Sequence, residues 1–184
     1  MAGFMLSDER YEEIKEIIVD MFETYNVTCV PISGFEIATR MGVKVVPYSA
    51  LEKRIRRLIL IKGLDGVTGL DHGKYTIYYN DYMPTYGRIN NTMMHEIGHI
   101  VFGHLEESEL AEAEANFFAK YALAPPSLIH KWKLSSPDEI ARTFEISHEA
   151  ARYAYEYYQK WLSCGVKEYT DYEIRTLTLF EEVI

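Results

Sequence analysis

The sequence predicts an α+β fold in which a small antiparallel sheet precedes a mainly helical C-terminal region. β-Branched and aromatic residues at 74–80 indicate one strand, and the apolar run at 67–70 indicates its partner, so residues 71–73 form the connection of a hairpin. Apolar residues recur at helical spacing through most of the chain after residue 90. We therefore expect a sheet-containing domain over residues 1–130 and a helical, helix-turn-helix-like subdomain over residues 131–184.

Capping and breaking residues bound the elements that precede the hairpin. Ser7 can cap a helix whose apolar spacing extends to Tyr25, and a short helix at 35–41 ends before a glycine. β-Branched residues bounded by glycine and proline favour a strand at 43–48. Residues 51–62 combine basic and apolar side chains in a pattern that fits either a helix or a strand.

Helices are predicted for most of the second half of the chain. Asn90 or Asn91 can cap the first of them, and Pro125-Pro126 stops the second. The tail, Glu168–Ile184, could form a helix or an edge strand. The predicted helices cover Asn90–Phe102, Ser108–Leu123, Pro137–Phe144 and Ser147–Trp161.

Charge and composition limit the classes of partner. With a formal net charge of −9, the 184-residue chain would repel phosphate backbones and anionic lipid, so we expect neither direct nucleic-acid nor membrane binding. A basic protein surface fits this charge better. Cys29 and Cys164 lie far apart and in no metal-binding spacing, which suits a reducing cytoplasm. Residues 1–20 lack the layout of a secretion signal, and no apolar run approaches the roughly 20 residues that span a bilayer. We expect a soluble cytoplasmic protein.

The segment His95-Glu96-Ile97-Gly98-His99 carries the strongest chemical signal. At about 100° per residue, the two histidines lie on one face of a helix and one turn apart, so both imidazoles can reach one metal ion. Zinc favours imidazole nitrogen, and a catalytic zinc commonly has three protein ligands. Glu96 lies about 100° around the helix from His95, where a general base for the attacking water is needed.

A third ligand is expected from the next helix, which carries Glu112 and Glu114. Glu112 lies closer to the centre of that helix's apolar stripe, where a buried carboxylate calls for a cationic partner such as a metal ion. Glu114 remains the alternative third ligand. Asn116, one turn beyond Glu112, can reach a ligating imidazole. His104 follows the motif at an offset that does not fit the metzincin pattern, so we interpret it as a helix-end residue.

These segments resemble the ImmA/IrrE family of zinc metallopeptidases. The resemblance implies a zincin-like, gluzincin-type metallopeptidase domain in which His95, His99 and Glu112 hold Zn2+ and Glu96 is the base. Ala124 departs from the family pattern, because methionine is usual at this position. The resemblance rests on Arg88–Met94 leading into the motif, on Ile100–His104 as an apolar turn ending in Gly-His, on Glu112-Ala113-Glu114-Ala115-Asn116-Phe117-Phe118-Ala119, and on Leu123-Ala124-Pro125.

The same resemblance implies a substrate. The family includes peptidases that cleave helix-turn-helix repressors of phages, mobile elements or stress responses, and also members without demonstrated peptidase activity. The basic surfaces of such DNA-binding proteins suit an acidic enzyme. In such zincins a strand beside the active site pairs with the extended substrate, a role expected here for Tyr75–Asn80. The expected function is zinc-dependent hydrolysis of a peptide bond in such a repressor. The alternative is a zinc-containing regulatory protein that binds the repressor without cleaving it.

Residues 137–151 read as helix, tight turn and helix, and they resemble a DNA-binding helix-turn-helix. The second helix begins Ser147-His148-Glu149, continues with several tyrosines, and has Arg152 as its only early cation. A helix that reads DNA needs contacts to bases and to phosphates. We therefore interpret this segment as a packing or substrate-docking element, with DNA binding as the alternative.

Overall fold

The computed structural model describes residues 5–164 and 168–181, and these residues form nine helices longer than one turn and three strands. A 3-10 turn at Tyr48–Ala50 follows the first strand. The elements are α1 (Asp8–Thr24), α2 (Gly34–Arg40), β1 (Lys44–Pro47), α3 (Lys53–Ile61), β2 (Gly66–Asp71), β3 (Lys74–Tyr79), α4 (Tyr86–Phe102), α5 (Glu109–Leu123), α6 (Pro126–Lys131), α7 (Pro137–Phe144), α8 (His148–Ser163) and α9 (Asp171–Leu179).

The sheet has the strand order β1-β3-β2. β2 and β3 form the predicted antiparallel hairpin, with Asp71 opposite Lys74 at the turn and Gly66 opposite Tyr79 at the far end. β1 runs parallel to β3 on its other side, from Lys44 opposite Thr76 onward. The prediction of a purely antiparallel sheet was therefore wrong. The sheet is mixed because the chain passes through α3 and β2 before it returns to β1 as β3.

Most predicted elements are confirmed, and two ambiguous segments are resolved. Ser7 caps α1, with its Oγ accepting a hydrogen bond from the Arg10 amide at 3.2 Å. The segment at 51–62 contains a helix, α3, and the tail contains a helix, α9. Residues 182–184 of the predicted tail lie outside the described residues. In the part of the chain that the structure describes, no helix is long and apolar enough to cross a membrane.

The chain divides into two compact units. One spans Ser33–Ala119, and the other comprises the described residues up to Ile32 together with those from Lys120 onward. These units differ from the expected segments 1–130 and 131–184, since α1 packs with the C-terminal helix α9. Whether those two segments fold as separate domains stays a prediction.

The Ser33–Ala119 unit places α4 across one face of the sheet. α4 packs on β2 and β3, and α2 packs on α4 and β1. Ile77 of β3 and Met93, Met94 and Ile97 of α4 are fully buried. The apolar side of α4 thus fixes the helix on the sheet, and the remaining side is available to carry polar chemistry.

The other unit is a helical cluster. α1 packs on α9, α6 packs on α8 and α9, and α7 packs on α8. Phe22 of α1 and Phe180 meet edge to face, with ring centroids 5.9 Å apart. Lys15 is only 9% exposed, and its Nζ bonds Glu12 Oε1 at 2.6 Å. A buried ammonium of this kind requires its carboxylate partner, and Glu12 Oε2 in turn accepts a hydrogen bond of 2.8 Å from Tyr172 Oη of α9.

α4 begins a full turn earlier than predicted, at Tyr86, with Thr85 at its N-cap. The prediction that Asn90 or Asn91 caps this helix was wrong. Asn90 is a fully buried residue inside α4, and its Oδ1 accepts a hydrogen bond of 2.7 Å from the Gly34 amide. Gly34 lies in the first turn of α2, where backbone N–H groups have no partner within the helix. Asn90 therefore attaches α2 to α4.

Asn90→Ala should lower the free energy of unfolding by about 1–3 kcal/mol, because the buried Gly34 N–H would lose its acceptor. Urea unfolding followed by circular dichroism measures the change. Asn91→Ala is the matched control, since Asn91 is the adjacent, less buried asparagine. An equal loss in both variants would contradict the special role of Asn90.

Candidate active site

Two imidazoles of α4 point to the same place. His95 and His99 are separated by one helical turn, and their Nε2 atoms lie 3.0 Å apart. Their side chains are 18% and 15% exposed. Burial, followed by the neighbouring His99, lowers the pKa of His95 to about 4, and burial also lowers the pKa of His99. Both rings are therefore held in the neutral form that binds metal ions.

Glu112 of α5 completes a group of three potential ligands. Its Oε2 lies 3.5 Å from His95 Nε2, and its Oε1 lies 3.3 Å from His99 Nε2. One ligand atom from each residue falls within 4.8 Å of the other two, and no other such group occurs among the residues the structure describes. Two imidazole nitrogens and a carboxylate oxygen, open to solvent on one side, fit the donor set of a catalytic zinc site.

Gly98, inside the motif, explains how α5 comes close enough. A Cβ at this position would lie 3.2 Å from the Ala115 Cα and 3.2 Å from Phe118 Cδ1. The two helices therefore touch at the level of their backbones, which a larger residue would oppose. This close approach brings Glu112 within reach of the histidines on α4.

Glu96 faces the sheet next to the histidines. It is 6% exposed, and Thr68 of β2 donates a hydrogen bond of 2.6 Å to its Oε2. Burial raises the pKa of Glu96 to about 7, although the Thr68 hydrogen bond opposes the shift. A carboxylate whose pKa lies near neutrality is suited to accept and release a proton. Gly66 also lies against Glu96, because a Cβ on residue 66 would come within 2.7 Å of Glu96 Oε1.

A cleft of about 480 Å³ contains all of these side chains. Its lining includes the two histidines, Glu96 and Glu112, together with residues 63–68, which lead into and form the start of β2. β2 is an edge strand, and among the described residues its outer side pairs with no other strand. The cleft is therefore bordered by free backbone N–H and C=O groups.

The expectation that Tyr75–Asn80 pairs with a substrate was wrong. This segment contains β3, the central strand, whose backbone is paired with β1 from Thr76 to Tyr79 and with β2 along its whole length. Both of its edges are occupied. The free edge beside the cleft belongs to β2 instead.

The two glutamates of α5 occupy different environments from those expected. Glu114 is 5% exposed, whereas the Glu112 side chain is 51% exposed. The expectation that Glu112 is the buried one was wrong. Glu114 Oε2 lies 2.8 Å from His104 Nε2, so Glu114 contacts His104 and is not grouped with the histidine pair. Asn116 hydrogen-bonds the His95 side chain.

The sequence did not predict the contacts that three residues make at the site. Gly66 and Thr68 contact Glu96 from a strand that carries no motif, and their only sequence signal is small size at alternate positions. His104 was interpreted as a helix-end residue, and it does follow the end of α4. Its Nδ1, however, also lies 3.0 Å from His99 Nδ1.

The arrangement defines a class of protein. A His-Glu-x-x-His helix joined by a carboxylate from the following helix is the ligand arrangement of metallopeptidases. The sequence model of the Peptidase M78 family, described as an IrrE N-terminal-like domain, matches residues 38–156. The chain therefore belongs to this family, the ImmA/IrrE family of metallopeptidases, as its motifs indicated. A search of curated proteins found no match.

Gly66→Ala should lower kcat/KM for peptide cleavage by about 100-fold, because the new methyl group would meet Thr92 Cγ2 at 2.6 Å and Glu96 Oε1 at 2.7 Å and so displace the Glu96 carboxylate. Cleavage of casein and the free energy of unfolding should be measured together. Gly69→Ala is the matched control in the same strand, since its Cβ would meet Tyr78 at an ordinary 3.5 Å. Full activity in Gly66→Ala would show that Glu96 does not require this contact.

Proposed function

We propose that the protein is a zinc-dependent endopeptidase with a zincin-like, gluzincin-type catalytic domain. In this proposal His95, His99 and Glu112 hold Zn2+, and Glu96 is the catalytic base. The observation that carries the proposal is the convergence of these ligand atoms within 4.8 Å of one another, in the cleft that also contains the buried Glu96. Membership of a metallopeptidase family supports it.

The chemistry divides between the metal and the chain. Zinc in this position would act as a Lewis acid, which lowers the pKa of water and polarises a peptide carbonyl. Glu96 accepts the proton of the attacking water as the new C–O bond forms. It then transfers that proton to the leaving nitrogen as the C–N bond breaks. Thr68 and Gly66 hold the carboxylate in place during both transfers.

The outer edge of β2 is the proposed site of substrate alignment. An extended peptide that pairs with this edge adds a strand to the sheet through backbone hydrogen bonds. Because Gly66, Val67 and Thr68 line the cleft, such a peptide would pass directly beside Glu96 and the histidines.

A helix-turn-helix repressor is the proposed physiological substrate. The family resemblance implies this class of substrate, and a net charge of −9 favours a partner with a basic surface. The exposed side of α8 offers no comparable match to DNA. Its charged residues are of both signs: Glu149, Arg152, Glu156 and Lys160.

Glu96→Gln should retain zinc but lower kcat by about 100- to 10,000-fold, because the amide cannot accept the proton of the attacking water. Bound zinc is measured by elemental analysis, and cleavage is measured on the helix-turn-helix repressor encoded nearest to this protein's gene. Glu109→Gln is the matched control, since Glu109 is exposed at the start of α5 and outside the cleft lining.

Full activity in Glu96→Gln would exclude Glu96 as the base. A wild-type protein that binds zinc and the repressor but cleaves neither the repressor nor casein would instead support a regulatory binding protein.

Zinc should also stabilise the fold, because the three ligands come together only in the folded chain. At a free zinc concentration 1,000 times Kd, the linkage amounts to roughly 4 kcal/mol. Thermal unfolding with zinc and with a chelator measures this difference. His95→Ala should abolish most of it, and an equal zinc effect in wild type and variant would place the metal elsewhere.

A further inference from the structure

The end of α4 folds back over its own last turn. Gly103 has the left-handed φ of 66°, its amide donates to the Ile100 carbonyl, and the His104 amide donates to the His99 carbonyl at 2.9 Å. This is the hydrogen-bond pattern of a Schellman motif. It returns the chain toward His99, so that the rings of His99 and His104 meet with centroids 5.1 Å apart.

The rings of His99 and His104 and the buried Glu114 carboxylate form a continuous chain of contacts, the His99–His104–Glu114 relay. His99 Nδ1 lies 3.0 Å from His104 Nδ1, and His104 Nε2 lies 2.8 Å from Glu114 Oε2. The His104 and Glu114 side chains are 14% and 7% exposed. His99 Nε2, on the opposite side of its ring, faces His95 and Glu112.

We propose that Glu114 and His104 are positioning residues that fix the proton of His99 on Nδ1, which leaves the Nε2 lone pair directed at the metal position. This inference deepens the proposed zinc site and rests on it. Neither residue touches the metal position itself, and both act through His99.

The direction of the hydrogen bonds follows from donor and acceptor chemistry. An ionised carboxylate only accepts, so the Nε2 of His104 must carry a hydrogen and donate it to Glu114. A neutral imidazole with a hydrogen on Nε2 has a free lone pair on Nδ1. In a relay with His104 neutral, His104 Nδ1 accepts and His99 Nδ1 is the donor. The remaining nitrogen of His99 is then an acceptor, as a metal ligand has to be.

Burial makes this chain of bonds specific. With Glu114 only 5% exposed, moving the proton to the other nitrogen of either histidine would place two donors or two acceptors face to face. Among the residues that the structure describes, His95 is instead hydrogen-bonded by the exposed Asn116. The two metal-facing histidines are thus oriented by different means.

The positions of the protons can be read directly in metal-free protein. Long-range 1H–15N NMR of the histidine rings at neutral pH should show hydrogen on Nδ1 of His99 and on Nε2 of His104. This measurement requires no zinc and no activity. Hydrogen on Nε2 of His99 in the wild type would overturn the proposal.

Zinc affinity, measured by competition with a chromogenic chelator, tests whether the relay strengthens metal binding. His104→Phe and Glu114→Leu remove an acceptor from the relay, and each should weaken zinc binding by about 10- to 100-fold. His104→Asn and Glu114→Gln keep an acceptor, and they should retain most of the affinity. His148→Phe is the matched control, because His148 pairs with Asp138 at 3.3 Å on the exposed surface.

A purely structural role would give a different result. Variants that lose unfolding free energy but keep wild-type zinc affinity and an unchanged His99 proton position would overturn the relay. Loss of affinity in the acceptor-free variants, with recovery in His104→Asn and Glu114→Gln, would support it. If the wild type binds no zinc, the proposed function fails, and the proton positions alone then support or overturn the relay.

Discussion

The contact between α4 and α5 at Gly98 is the constraint on which the site depends. Because position 98 has no side chain, the Ala115 backbone can lie against α4, and both glutamates of α5 are then fixed relative to His99. Glu112 reaches its Nε2 side, while Glu114 reaches its Nδ1 side through His104. Two carboxylates only two residues apart thus lie toward the two ring nitrogens of one imidazole, Glu112 directly and Glu114 through His104.

A second close approach organises the sheet side of the cleft. Gly66 lets β2 lie directly against Glu96, and Thr68, two residues along the same face of the strand, supplies a hydrogen bond to its carboxylate. Glu96 is therefore enclosed by backbone and a short side chain. Its environment disfavours the charged form, and its orientation is set by β2. In the proposed function, substrate alignment and proton transfer would depend on the same few residues.

The parts of the site that local geometry determines were predictable from the sequence. The i, i+4 spacing of His95 and His99 fixes their direction on any helix, and β-branched residues identified the hairpin. The predictions that failed all depend on contacts between residues that lie far apart in the sequence. Asn90 resembled a helix cap because an amide that bonds a distant backbone looks the same in sequence as one that bonds its own helix. The environment of Glu114 depends on His104, which the turn after α4 brings back, and the pairing of β1 depends on a connection through α3.

The open edge of β2 has a consequence for the protein's behaviour at high concentration. Unpaired N–H and C=O groups accept any extended chain, including the same strand of a second molecule, so a peptide-binding edge is also a site of potential self-association. β2 is only six residues long, contains two glycines and ends in Asp71. Each of these features weakens strand pairing. In the proposed function, β2 would therefore hold a substrate transiently, while the same features disfavour permanent association between copies.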